Sequence, residues 1–340
     1  MPQCNAAEAY TRHLVQDRPA AQVHHMADTT TTTINAQSGE AKGLFSLYAD
    51  LIKLRLSVLV VISAGAGCVM ASGPQIDWLL LLWTVTGTLA CAAAANAINQ
   101  VIEVRRDALM DRTRNRPLPS GQLSPAHGWV VAMLLAYAGV ALLAMLVNLF
   151  AAGLALLTLL LYVAAYTPLK PRTTLNTLVG AVVGAIPPLI GWVAVRDQMD
   201  IGGWTLAAIL FLWQLPHFLS LAWMYRDQYE LAGFRMLPSV RGGEHAVCQG
   251  TLVSSMLLIP LTLLVVSFHL AGVIYAAAAV LLGCWFAWKS LSFYRHRTHE
   301  TARNAFLTSL LYLPLLFIAM VLDRIPEVTE IMIILEPTTP

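Results

Sequence analysis

"ANAINQVIEVRRDALMDRTRNRPLPSG", residues 95–121, decides how the rest of this chain is read. It starts inside an apolar run, ends in a basic loop, and spaces Asn99, Glu103, Asp107 and Asp111 four residues apart. On a helix each step of four drifts about 40° around the axis, so these side chains would form one slanting polar stripe. Repeated hard oxygen ligands suit Mg²⁺, which keeps several waters and binds through one or two carboxylates plus substrate phosphates. The same spacing also describes a helix end whose acids pair with Arg105, Arg106 and Arg112. Like charges at i, i+4 repel, a cost that a bound cation removes. Spacing alone leaves both readings open.

The surroundings of this stretch are apolar. The 340 residues are 57% hydrophobic and only 12% charged, with mean hydropathy +0.64. Soluble domains carry roughly 25% charged residues, so this chain lacks the polar residues to cover a water-facing surface. Apolar stretches of about 20 residues, each long enough to cross a bilayer as a helix, recur along it. Nine spans are predicted, at 53–72, 78–100, 126–146, 149–166, 174–195, 203–224, 247–268, 271–291 and 303–323. The fold class expected is therefore an all-α membrane protein. Strands of a membrane barrel would alternate polar and apolar residues, and "LALLTLLLYVAAY" does not. The five cysteines are scattered without a CxxC pair, which argues against a disulfide framework or a zinc site.

Three segments are expected. Residues 1–42 are polar and Thr-rich without apolar periodicity, and read as a disordered tail. Residues 43–325 form the membrane domain, and 326–340 a short C-terminal tail. Transit peptides are Arg-rich and acid-poor, whereas Glu8, Asp17, Asp28 and Glu40 roughly balance Arg12, Arg18 and Lys42. A bacterial inner membrane is thus expected rather than the mitochondrial one. Every lysine and arginine except Arg196 and Arg324 falls before or at the start of span 1, after spans 2, 4 and 6, or around the turn that follows span 8. The positive-inside rule then puts the N-terminus and those loops in the cytoplasm.

A second polar cluster ends span 6 in "WQLPHFLSLAWMYRDQYELAGFRMLP", residues 213–238, with His217, Arg226, Asp227, Tyr229 and Glu230. The topology brings it out on the same face as the first. Between them lies "YTPLKPRTTLN", with Tyr166, Lys170 and Arg172, cations that could hold phosphate by charge-assisted hydrogen bonds or anchor the loop. Two related helical halves, each offering acids to a shared cavity, are expected. Pro187–Pro188 in "GAVVGAIPPLIGW" predict a kink in span 5 that shapes this cavity.

These three motifs, in this order over roughly residues 45–323, resemble the UbiA-type intramembrane prenyltransferases. "RTRNRPLPSG", "GAIPPLIGW" and "WQLPHF" are similar to the branch that farnesylates haem. The resemblance implies nine helices around a central cavity, with farnesyl diphosphate held through Mg²⁺ by the two acidic motifs. By that resemblance Asn99, Glu103, Asp107, Asp227 and Lys170 are catalytic, with Glu103, Asp107 and Asp227 on the metal. Asp111, Arg112, Arg116, Tyr166, Arg172, His217, Arg226 and Tyr229 would bind substrate, His217 by contact with haem iron, since imidazole suits iron. Where the family shows an acidic pair before Tyr229, this chain has Asp227–Gln228, so the second site would hold one carboxylate fewer, with Glu230 the next candidate. Haem b is expected as substrate rather than cofactor. Haem A synthase or terminal-oxidase assembly are the protein partners implied, and no nucleic acid is expected. The rival expectations are a quinone or chlorophyll-precursor acceptor and a secondary transporter. Transporter sites lie near the bilayer midplane, whereas these acids cluster at one face beside arginines.

Overall fold

The structure is a computed structural model and describes residues 43–325. The tails assigned to 1–42 and 326–340 lie outside the described residues. Among the described residues nine helices are long and apolar enough to cross a membrane, matching the nine predicted spans, and no β-strand occurs. This is an all-α, multi-pass membrane protein. A short helix α1 (Leu44–Leu51) precedes the spans α2 (Leu54–Ala71), α3 (Trp78–Asp107), α4 (Pro125–Leu146), α5 (Leu149–Leu169), α6 (Asn176–Arg196) and α7 (Ile201–Met224). A short helix α8 (Arg226–Leu231) follows, then the spans α9 (Gly243–Ser267), α10 (Val273–His296) and α11 (His299–Leu322).

Local chemistry sets the ends. Asp77 accepts from the Leu79 and Leu80 amides at the start of α3, and Asn148 from Ala151 at the start of α5. Asp200 does the same for α7, and Thr298 closes a capping box on α11. Each side-chain oxygen satisfies donors that have no partner within their helix. Arg196 and Arg324, the two cations outside the basic loops, have a structural task. Arg196 Nε donates to Ala71 O at 2.7 Å, and Arg324 Nη1 to Val69 O at 3.0 Å and Ser72 O at 3.2 Å. They close the last carbonyls of α2, where a helix end carries partial negative charge.

Two departures from regular helix shape the interior. α5 loosens into a π-helical turn at Leu161–Tyr166, a feature frequent at functional sites. α6 breaks at Ala185, so Pro187 and Pro188 fall in the first turn of its second segment, where their missing amides cost little. The expected kink is there, two residues ahead of the first proline. Close backbone contact holds the second segment of α6 against α2. A Cβ on Gly191 would collide with Ala64 O, and one on Gly67 with Pro188 O. Inside the bundle lies a mostly apolar cavity walled by α2, α3, α5, α6, α7 and α11, with Leu59, Ala95, Leu159, Tyr162, Val183 and His217 among its lining.

Candidate active site

The site is built at the end of α3. The helix runs past the predicted boundary at residue 100 to Asp107, so Asn99, Glu103 and Asp107 do share a helical stripe, and all three are buried. Asp111 does not join them. It lies in the turns after the helix, 71% exposed and paired with Arg114 at 3.1 Å. The even spacing predicted one stripe of four, but the helix stops first.

Each buried acid meets a cation. Lys170 Nζ lies 2.9 Å from Glu103 Oε1 and donates to Oε2 at 3.0 Å. Oε1 itself makes no hydrogen bond of good angle, leaving a buried acceptor with spare capacity. Arg116 Nη1 donates to Asp107 Oδ2 at 2.8 Å, and Thr113 Oγ1 donates to the Asp107 carbonyl at 2.7 Å. Burial works against the Lys170 charge, but Tyr166 and then the Glu103 carboxylate raise its pKa above the ordinary lysine value. The Tyr166 ring lies beneath that ammonium, 4.6 Å from Nζ to the centroid. The same tyrosine lines the cavity, so the ion pairs sit at the end of an apolar chamber.

Lys53 completes the cluster, and the sequence had placed it only among the cytoplasmic basic residues. The chain breaks between α1 and α2, and Lys53 takes a left-handed conformation (φ 49°). That turn sends Nζ to Asn99 Oδ1 at 2.8 Å, while Asn99 Nδ2 donates to Thr167 Oγ1 at 3.3 Å. A left-handed non-glycine residue costs of order 1–3 kcal/mol and gathers at functional sites. Burial, and then the charges of Arg116 and Lys170, push its pKa down to about 7 despite Glu103 and Asp107. The only sequence signal was a lysine between Ile52 and Leu54 at a membrane boundary.

The second motif meets the first through its aromatic residues. Arg112 Nη2 donates to Tyr229 OH at 3.0 Å, and its guanidinium lies 4.7 Å from the Tyr225 ring centroid. Gln228 Oε1 lies 3.5 Å from the Arg112 amide. The Arg235 amide donates to Lys170 O at 2.8 Å, tying the middle motif to the third. Asp227 itself is 89% exposed, with Arg226 Nε 3.6 Å away, and Arg226 packs on Trp223 at 5.1 Å. Arg172 is exposed; its carbonyl accepts from Arg235 and its amide donates to Leu169 O at 2.9 Å. The structure thus brings Asn99, Glu103, Asp107, Arg116, Tyr166 and Lys170 together, links Arg112 and Tyr229 to their rim, and leaves Asp111, Arg172 and Asp227 outward. Among the described residues no three His, Cys, Asp or Glu side chains converge on one point.

His217 lies apart from this head, buried on α7 and lining the cavity. Its ring stacks on Trp213 at 5.2 Å between centroids, and Nδ1 lies 2.8 Å from Ser309 Oγ. Ser309, on α11, was not singled out in the sequence, because a serine in a span carries no signal of its own.

Comparison with known proteins identifies the family and the fold. The model of the UbiA prenyltransferase family fits residues 59–320. The chain is 45% identical over 297 residues to the protoheme IX farnesyltransferase of Myxococcus xanthus (strain DK1622), covering 85% of this chain and 99% of that protein. In fold it resembles the structure of a digeranylgeranylglyceryl phosphate synthase, with TM-score 0.69 and 18% identity, covering 82% of this chain and 98% of that one. It also resembles a UbiA homolog from Archaeoglobus fulgidus bound to DMAPP and Mg²⁺, with TM-score 0.64 and 13% identity, covering 81% and 99%. With the family motifs on one face of a nine-span bundle, and the family match running through all but the ends of that bundle, the chain belongs to the UbiA prenyltransferase family.

Proposed function

We propose that this prenyltransferase moves the farnesyl group of farnesyl diphosphate onto a vinyl group of haem b, giving haem O and diphosphate. The observation that carries the reading is the joining of a cationic, acid-bearing head to an apolar chamber containing His217. Lys170, Arg116 and Lys53 would receive the diphosphate, with Arg112, Arg226, Tyr166 and Tyr229 around it and Asp111 and Arg172 at the rim. Asn99 holds Lys53 in place.

The residues present fit Mg²⁺. Two buried carboxylates one turn apart suit an ion that completes its shell with water and phosphate. Glu103 and Asp107 would hold it, with Asp227 contributing from α8, and Asn99 beside them. When bound, Mg²⁺ supplies neutralisation of the charge on the departing diphosphate. The C1–O bond of the farnesyl group breaks, and its electron pair leaves with the diphosphate, stabilised by Lys170 and Arg116. C1 then bonds to the terminal vinyl carbon, water adds to the other vinyl carbon, and one proton is released. The apolar walls keep water from the allylic cation until the vinyl group reaches it.

The residue pattern also supports a bacterial inner membrane with a cytoplasmic N-terminus, since basic loops favour that side. Delivery of the product to haem A synthase or to terminal-oxidase assembly would follow from it. Cysteines placed at the exposed Gln122 and Gln198 should be labelled from opposite sides of the membrane, and labelling of both from one side would overturn the orientation. The test of function is expression in a bacterial strain lacking haem O synthase, followed by haem extraction and mass analysis. Haem O is expected. Haem b alone, with the protein stable in the membrane, would overturn the assignment, and prenylated 4-hydroxybenzoate would favour a quinone-precursor acceptor.

A further inference from the structure

A count of hydrogens shows which atom carries the proton in the His217–Ser309 contact. Ser309 Oγ lies 2.6 Å from Phe306 O and 2.8 Å from His217 Nδ1. The hydroxyl has one proton, and a carbonyl oxygen has none to give. Two oxygens 2.6 Å apart with no proton between them would repel, so the serine donates to Phe306 O. Its contact with Nδ1 must then be one in which the imidazole donates. A neutral imidazole protonated at Nδ1 carries its lone pair at Nε2.

The other contacts fix where that lone pair is held. Trp213 stacks on the ring at an interplanar angle of 23°, and Phe306 lies 4.8 Å away by centroids. Trp213 Nε1 donates to Ser309 O at 2.9 Å, so the stacking ring and the serine are tied to each other. Among the described residues nothing hydrogen-bonds Nε2, although His217 is buried and lines the cavity. Nε2 is not among the fully buried polar atoms left without a partner, so it opens on the cavity rather than being sealed in the packing. Here one nitrogen is anchored and the other is left available.

We propose that His217 Nε2 is the protein ligand to the iron of the haem substrate, and that Ser309 is a positioning residue that selects its tautomer and holds its direction. The proposal rests on the haem reading above and specifies its acceptor site. An imidazole that gives its second N–H to an oxygen is the usual arrangement of a metal-bound histidine. Ligation would fix the porphyrin in the chamber that also contains Tyr166, whose ring supports Lys170. Acceptor and diphosphate would then share one cavity.

The test uses the full-length protein in lipid nanodiscs, loaded with ferrous haem b and read by resonance Raman spectroscopy. Wild type should show an iron–histidine stretching band. His217→Gly should lose it and regain it on adding imidazole. Ser309→Ala should keep a ligand but shift the band and bind haem b roughly tenfold more weakly. A wild type that forms haem O yet shows no histidine band overturns the ligation, and so does a band unchanged in His217→Gly. A band lost in His217→Gly but unshifted in Ser309→Ala overturns the role of Ser309. If His217→Gly does not accumulate, the wild-type band and the Ser309→Ala shift decide the question. Failure of the wild type to form haem O from haem b and farnesyl diphosphate would instead remove the acceptor reading itself.

Discussion

Glu103 and Asp107 at the end of α3 are buried and each is matched to a cation, whereas Asp227 in the first turn of α8 stands 89% exposed beside Arg226. The two motifs look alike in sequence and occupy opposite electrostatic states. Taking a carboxylate out of water costs several kcal/mol per ion unless a partner compensates, so the α3 acids are held in fixed geometry by Lys170 and Arg116. Asp227 is solvated, with Arg226 3.6 Å away as its one charged neighbour among the described ion pairs. The first motif is therefore preorganised, and the second adds charge only when something draws it in. Gln228 fits that division. A neutral amide can approach the Arg112 backbone amide at the rim without adding another charge to the head.

The sharpest way to break this comparison is Glu103→Gln. Removing a charge from a preorganised site costs about 10²–10³ in rate, and the amide would leave Lys170 buried without its counter-ion. Haem O formation should fall at least about a hundredfold, with thermal stability reduced as well. Near-normal activity would return Glu103 to an ion pair of purely structural value.

Asp227→Asn separates the two regions further. Activity should fall about tenfold or more if its carboxylate reaches the metal, yet stability should stay within about 0.5 kcal/mol, as for other exposed substitutions. A large loss of stability would mean that Asp227 is not solvated as described. An unaffected rate would move the second motif's role to Glu230.

Lys53 tests how far the buried network extends. Lys53→Met should weaken farnesyl diphosphate binding about tenfold, the worth of one charge-assisted hydrogen bond. Its pKa of about 7 lies below the ordinary 10.5, so the unfolded chain binds more protons between those values. Its contribution to stability therefore rises with pH across that window and is lost as pH falls through it. Diphosphate favours the charged form, so wild-type binding should weaken as pH rises above about 7. Binding by Lys53→Met should be flat there, and an equally steep profile in the variant would assign the titration elsewhere.

The smallest effect belongs to Gln228→Asp. One more carboxylate at the solvated rim should lower the Mg²⁺ concentration for half-maximal activity by about twofold, since an exposed charge several ångströms away is worth about 0.5 kcal/mol in water. A higher Mg²⁺ requirement would show that the new acid binds Arg112 or Arg226 instead.

Much of this was legible in the chain. Nine spans, their alternation and the shared face of the motifs follow from hydropathy and from basic residues, because a bilayer dictates segment length and charge placement locally. The stripe of Asn99, Glu103 and Asp107 was legible too, as helical periodicity needs only neighbours in sequence. Asp111 escaped it because no signal marks a helix that stops at Asp107 rather than one turn later.

What only the tertiary structure decided is which charged groups lose water and whom they meet. Lys53 and Lys170 are both lysines beside a span, yet one reaches Asn99 through a left-handed turn and the other reaches Glu103 from 67 positions away. Ser309 and His217 meet across 92 positions, and neither residue type announces that contact. The sequence by itself determined the membrane fold and the residue types of the site, because those depend on local composition and period. The pairing, the burial and the free imidazole nitrogen depend on how distant helices pack, and no local pattern encodes that.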